Sequence, residues 1–256
     1  MKFGTAIAIF LLLATGDVSY AGETPEIPAH IAAALADPAR PAADTARDRL
    51  RKPGEAMAFA GLKSGDRVAD FMSGGGYFTR IFARAVGPGG RVYAFVPDEE
   101  MKNCDASETD GSLALGHDRS YANVDLLTGP VDAFAAPEKL DMVWTAQNYH
   151  DLHDAFMGPA DLAAVNRHIY ASLKPGGVFL VIDHVAEAGS GARDTAALHR
   201  IDPQTIIREV EAAGFRLEAQ SDVLRNPADT HLLRVFDPTV RGRTDQVVLK
   251  FRKPDR

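Results

Sequence analysis

Val68-Ala69-Asp70-Phe71-Met72-Ser73-Gly74-Gly75-Gly76-Tyr77-Phe78-Thr79 is the stretch that decides the fold. An apolar run closes on an acid, Asp70, and passes through three consecutive glycines. Beyond them Phe78, Ile81, Phe82 and Ala85 recur at the spacing of a buried helix face. The reading is strand, glycine loop, helix. Glycines accept positive φ and carry no Cβ, so a ligand can approach their backbone closely. In open α/β sheets, such a unit holds a nucleoside-like ligand outside the carboxyl end of the first strand.

Working outward, strands and helices alternate. Arg67–Phe71 is the first predicted strand, and its helix ends before Gly87-Pro88-Gly89-Gly90. Further strands are expected at 91–96, 122–127 and 140–146, and 97–121 is polar and acidic, read as a helix and a mobile loop. An amphipathic helix at 161–172 stops at Lys174-Pro175-Gly176-Gly177. The continuous apolar strand 178–182 follows, as expected when both faces are buried. A helix at 204–213 and two late strands, 215–219 and 246–251, complete the pattern. Alternation of this kind predicts a doubly wound, mostly parallel seven-stranded α/β sheet with an antiparallel edge strand. Ahead of it, residues 22–62 read as an N-terminal helical extension. Short helices are expected near 30–35, over 42–52, and from Pro53 to Ala60 with Gly61 as the cap. The main domain then spans 63–256.

Together these features identify the chain as similar to class I S-adenosylmethionine-dependent methyltransferases. The resemblance runs from Arg67 to Phe251. It rests on the glycine motif, the Gly-Pro-Gly-Gly-Arg-Val-Tyr-Ala turn at 87–94, Leu140-Asp141-Met142-Val143, and Leu173-Lys174-Pro175-Gly176-Gly177 before strand five. Gly75 to Arg80, Asn148-Tyr149-His150-Asp151, Leu198-His199-Arg200-Ile201-Asp202, Arg225-Asn226-Pro227 and Arg252-Lys253-Pro254 further resemble an exported predicted-methyltransferase group. The resemblance implies S-adenosylmethionine as cofactor, held by Asp70, Ser73, Gly74, Gly75, Gly76 and Thr79. Two positions depart from the family pattern. Met72 stands where the first motif glycine belongs, and Val96 where an acid grips both ribose hydroxyls. The nearest acids are Asp98 and Glu99, of which Asp98 is assigned the ribose. Asp70 is also open to a second reading, as a carboxylate that braces the loop.

Methyl transfer from a sulfonium asks the protein to position the acceptor and, where needed, take its proton. Candidates should follow strands four and five. His150 is the expected general base, its ordinary pKa being near neutral, with Tyr149 and Asp183 completing the catalytic set. For any one histidine here, bracing a loop is an equal reading. His150, His153, Asp183, His184 and His199 offer nitrogen and oxygen donors, but no compact ligand signature appears, so no metal is expected. Arg225, Arg234, Arg241 and Arg243 read as a solvated loop balanced by Asp222, Asp229, Asp237 and Asp245.

The whole chain narrows the partners. Its 256 residues carry a net charge of −7, which disfavours nucleic acid and anionic membranes; the expected partner is a small-molecule substrate. Lys2, the apolar run Ala6–Ala14 and the small residues Ser19 and Ala21 read as a signal peptide spanning 1–21, implying export to the periplasm. The run is far below the roughly 20 residues of a membrane span, so no stable membrane insertion is expected. Cys104 is the single cysteine, so no intrachain disulfide forms. Export sits awkwardly with a cytoplasmic cofactor, and this raises an alternative: a non-catalytic binding module that keeps the fold and holds a nucleoside-like ligand. A nicotinamide oxidoreductase fits less well, because Thr79 replaces the third fingerprint glycine.

Overall fold

The computed structural model describes residues 19–21, 26–158 and 160–255. Most of the expected signal peptide, residues 1–18, lies outside the described residues. Seven strands form the body of one sheet: β1 (Arg67–Phe71), β2 (Arg91–Pro97), β3 (Val124–Gly129), β4 (Leu140–Ala146), β5 (Leu173–His184), β6 (Arg216–Ser221) and β7 (Gln246–Arg252). Their order is β3-β2-β1-β4-β5-β7-β6, and only β7 runs antiparallel to its neighbours. A three-residue segment, Ser19–Ala21, adds in parallel outside β6, at the end of the expected signal peptide.

Period-two burial explains why helices cover both faces. Val68, Val92, Ala94, Met142, Trp144 and Leu180 point to one face; Ala69, Tyr93, Phe95, Val143, Phe179 and Val181 point to the other. The first face packs on α1 (Ala29–Leu35), α4 (Pro53–Ala60) and α5 (Tyr77–Val86), where the Trp144 ring meets Phe78 at 4.9 Å and Phe82 at 5.2 Å. The second packs on α8 (Leu162–Ser172) and α10 (Pro203–Ala212). The N-terminal extension thus shares a core with the sheet, since Ile31, Ala34 and Met57 are buried in that first cluster.

Three local differences from the sequence reading have physical causes. The expected helix over 42–52 is two short ones, α2 (Ala42–Thr45) and α3 (Asp48–Arg51). Pro53 disfavours the right-handed helical region for the residue before it, so the helix breaks at Lys52, which takes a left-handed conformation, φ 42°. The segment 97–121 holds two helices, α6 (Asp98–Asn103) and α7 (Ala106–Leu115), rather than a helix and a mobile loop. Finally, β5 begins at Leu173, five residues before the predicted start. Leu173 pairs with Leu140, and the Gly176 N–H donates to the Lys253 carbonyl, which draws the Pro-Gly-Gly turn into the ladder. A last short helix, α9 (Thr195–Leu198), leads into His199. Among the described residues, no helix is long and apolar enough to cross a membrane.

Candidate functional site

The carboxyl ends of β1, β2, β4 and β5 converge where the sequence motifs lie. Asp70 ends buried beneath the glycine loop, and its Oδ2 accepts the Thr79 hydroxyl proton at 2.6 Å. The carboxyl therefore ties the end of β1 to the first turn of α5. Burial pushes its pKa up to about 7, against the two hydrogen bonds from Thr79 that pull it down.

Met72, at the first-glycine position, adopts φ 60°. A side chain there is strained, and the strain persists because the carbonyl of Met72 is held: Asn148 Nδ2 donates to it at 2.6 Å, and Thr145 Oγ1 fixes the Asn148 amide oxygen. The loop keeps a glycine's backbone without the glycine. Gly76 follows at φ 77°, and α7 lies directly over the loop. A Cβ on Gly111 of that helix would stand 2.2 Å from the Gly75 carbonyl oxygen, so only glycine permits this approach.

The acidic side of the site is denser than the sequence reading anticipated. Asp98, assigned the ribose, opens α6 half-buried. Glu99 is committed elsewhere, its Oε2 accepting the Val131 N–H at 3.1 Å. Glu100, which the sequence reading passed over, carries a buried Oε2 with no hydrogen-bond partner among the described residues. Burial first, then Asp151, Glu108, Asp70 and Glu99, push its pKa up to about 8. The Ser73 hydroxyl is likewise buried without a partner. The only hint in the sequence was a run of acids, Asp98-Glu99-Glu100, at the start of a short helix.

Arg51, from the N-terminal extension, lies close enough to Asp70 to feel its charge. Burial pulls its pKa down to about 10; its guanidinium lies 4.7 Å from the Tyr77 ring centre and donates to Gln147 Oε1. Gln147 itself has φ 68°.

After β4 the chain turns through a short 3₁₀ segment, His150–His153. His150 is 2% exposed, and the fully buried Asp183 takes both its backbone N–H and its Nδ1–H at 2.8 Å. On the other ring edge, Nε2 lies 3.2 Å from His199 Nδ1 and 3.2 Å from Asp151 Oδ1. Burial opposes a charge on His150, but the flanking Asp183 and Asp151 outweigh it and hold the pKa well above its ordinary value. Asp151, partly buried and hydrogen-bonded to His150 and His199, is held below the usual carboxylate range. His199 is another strained residue, φ 54°, packed against the Phe236 ring at 4.9 Å.

His150 and Asp183 are thus brought together, and Tyr149 is not. Its buried hydroxyl donates to Glu209 Oε2 at 3.1 Å and accepts from Asn166 Nδ2 at 2.9 Å, which latches the loop to α10 and α8. His153 joins the same latch through Glu209 at 3.2 Å. His184 bonds Thr244 Oγ1 at 2.8 Å, and burial lowers its pKa to about 3, so the ring is neutral. Arg200, fully buried, pairs with Asp229 at 2.9 Å and anchors the long connection from β6 to β7. Arg225 pairs with Asp245 in that connection at 2.8 Å. Burial and neighbouring acids raise the Cys104 pKa to about 11, so the thiol stays protonated.

The fold is similar to that of solved enzymes. It matches a SAM-dependent methyltransferase from Aquifex aeolicus with a TM-score of 0.54 at 16% identity, over 81% of this chain and 98% of the other. The glycopeptide N-methyltransferase MtfA complexed with S-adenosyl-L-methionine matches with 0.52 at 18%, over 79% and 87%. The [4+2]-cyclase SpnF matches with 0.54 at 19%, over 83% and 81%. No protein-family model matches the chain. At these identities the likeness is one of fold.

Proposed function

We propose that the protein is an S-adenosylmethionine-dependent methyltransferase acting on a small-molecule acceptor. The observation that carries this reading is the uncompensated acidity beside the glycine loop. Glu100 Oε2 is buried without a partner, in the field of Asp70, Asp151, Glu99 and Glu108. Crowded buried carboxylates raise one another's pKa and favour a cationic ligand that brings hydrogen-bond donors. S-adenosylmethionine offers a sulfonium, an ammonium and a ribose diol. In this reading Glu100 takes the ribose contact that Val96 lacks, with Asp98 beside it. Ser73, Gly74, Gly75 and Gly76 line the backbone approach, Asp70 and Thr79 hold the loop's shape, and Arg51 is the nearby cation for a carboxylate.

The transfer forms a bond from the acceptor's heteroatom to the methyl carbon and breaks the carbon–sulfur bond. The electron pair goes to sulfur, which becomes a neutral thioether, and the acceptor's proton leaves. His150 holds its proton between two carboxylates, so removal of the acceptor's proton falls to the His150–Asp151–His199 centre as a unit. Asp183 and Tyr149 are then positioning residues, one for the His150 ring and one for the loop.

A neighbour of the same fold is a [4+2]-cyclase, and a fold by itself does not select a reaction. Calorimetric titration of the protein with S-adenosylhomocysteine tests the pocket. Micromolar binding that weakens in Glu100→Gln supports the reading. No binding leaves the alternative, an emptied fold holding another nucleoside-like ligand. Export through residues 1–21 remains part of the proposal, tested by the N-terminus of the secreted chain.

A further inference from the structure

We propose that His150, Asp151 and His199 bind a divalent cation of the zinc type, presented to the acceptor. Ion binding is independent of the methyltransferase reading; the ion's role toward an acceptor rests on it.

The geometry is the first argument. His150 Nε2 is 3.2 Å from both His199 Nδ1 and Asp151 Oδ1, and those two atoms are 3.6 Å apart. Donors about 2.0–2.1 Å from a tetrahedral zinc ion stand about 3.3 Å from one another; around an octahedral ion of equal bond length they stand about 2.9 Å apart. The observed spacings bracket the tetrahedral value. Two imidazoles and a carboxylate form a donor set for zinc with one coordination position left open.

The second argument is the direction of the lone pairs. Asp183 takes the Nδ1–H of His150, so in the neutral ring Nε2 presents a lone pair toward an acceptor oxygen of Asp151. Something positive belongs between them, either a proton or a cation. Asp183 is also the outer partner that metal-bound imidazoles commonly have, a buried carboxylate that fixes the tautomer and ring plane. With both histidines neutral, Asp151 and Asp183 balance a doubly charged ion.

The third is access. The side chains of Asp151 and His199 are 17% and 18% exposed, while His150 is buried behind them. An ion can enter from solvent, leaving the fourth position for water or an oxygen or nitrogen of the acceptor. A cation there lowers the acceptor's pKa, so its proton leaves without a strong base. One contact must yield: Arg234 Nη2 lies 3.2 Å from His199 Nε2, and that nitrogen carries a proton once Nδ1 binds metal. Arg234 is exposed and can swing away.

Residue spacing concealed the site. His150 and Asp151 are sequence neighbours, yet the 3₁₀ turn aims both at one point, with His199 arriving from 49 residues away. Of the other histidines counted among the possible donors, His153 and His184 are held by Glu209 and Thr244.

The test uses the full chain, stripped with a chelator and titrated with Zn²⁺ alone by calorimetry, with Co²⁺ absorption as the probe of geometry. Expected are one equivalent bound at micromolar affinity or tighter and an intense tetrahedral Co²⁺ spectrum. Affinity should fall more than a hundredfold in His199→Ala, and roughly 10- to 100-fold in Asp183→Asn. Arg234→Ala should bind as tightly or tighter, and His153→Ala unchanged. Asp151→Asn, at a partly exposed position, serves if Asp183→Asn does not fold. Absence of stoichiometric binding, a weak octahedral spectrum, or equal affinity in His199→Ala would overturn the proposal. Titrating the same metal-free protein with S-adenosylhomocysteine separates the two ideas. Zinc binding without nucleoside binding sinks the methyltransferase reading alone; the reverse sinks only the cation site.

Discussion

Asp183 grips His150 at two points, accepting the backbone N–H with Oδ2 and the imidazole Nδ1–H with Oδ1, each at 2.8 Å. Because Asp183 is fully buried, this one carboxylate sets both the path of the loop after β4 and the plane of the ring that the loop carries. Asp183→Ala leaves the buried His150 backbone N–H and Nδ1–H without an acceptor, with Asp151 the one carboxylate still against the ring. It is expected to cost about 3–5 kcal/mol of stability, read by denaturant unfolding. Asp183→Asn, which keeps one acceptor, should cost less.

Met72 makes a sharper test, because it inverts an ordinary preference. Away from positive φ, alanine is more stabilising than glycine through its smaller chain entropy. At φ 60° the Cβ is strained, so Met72→Gly should be more stable than Met72→Ala by about 1 kcal/mol, although both lose a buried side chain. Equal stabilities, or alanine ahead, would show that the Asn148 contact does not hold the residue there.

The Asp70 carboxyl has a raised pKa in the folded chain, about 7 against an ordinary value of 3.8. Between these values the folded state binds more protons than the unfolded state, so stability is highest below pH 4, falls as pH rises to about 7, and is then level for this group. Asp70→Asn should lack that fall. Unfolding midpoints of both proteins measured across pH 4 to 8 decide it, and parallel curves would refute the assignment.

Gly111 stands where α7 meets the glycine loop. Gly111→Ala sets a methyl against the Gly75 carbonyl and is expected to destabilise by about 1–3 kcal/mol. It should also weaken S-adenosylhomocysteine binding, by displacing the loop. Thermal unfolding and calorimetry on one preparation read both effects.

Removing residues 1–21 takes away the edge segment Ser19–Ala21 and leaves the seven strands intact. A chain beginning at Gly22 should keep its fold and a Tm within a few degrees of that of the full chain. A large drop would mean that the segment is part of the stable sheet and not of a leader.

The strand–loop–helix unit, the helix start at Pro53 and its cap at Gly61, and the two-faced strands were legible along the chain because each depends on neighbours one to four residues away. Periodicity of burial and the φ demands of glycine and proline are local, and they carried the fold. The site was legible only in part. His150 and Asp183 met as their positions after β4 and at the end of β5 suggested, since topology brings the carboxyl ends of the parallel strands to one edge. Tertiary structure alone decided that Tyr149 turns to Glu209 and Asn166, that Glu100 rather than Asp98 is the buried acid without a partner, and that Asp151 faces His199. Those outcomes depend on which side of a short helix or 3₁₀ turn a side chain leaves, and a shift of one residue reverses it. What the sequence determined by itself is the frame; the three-dimensional packing of distant loops determined which charges on that frame are left to meet a ligand.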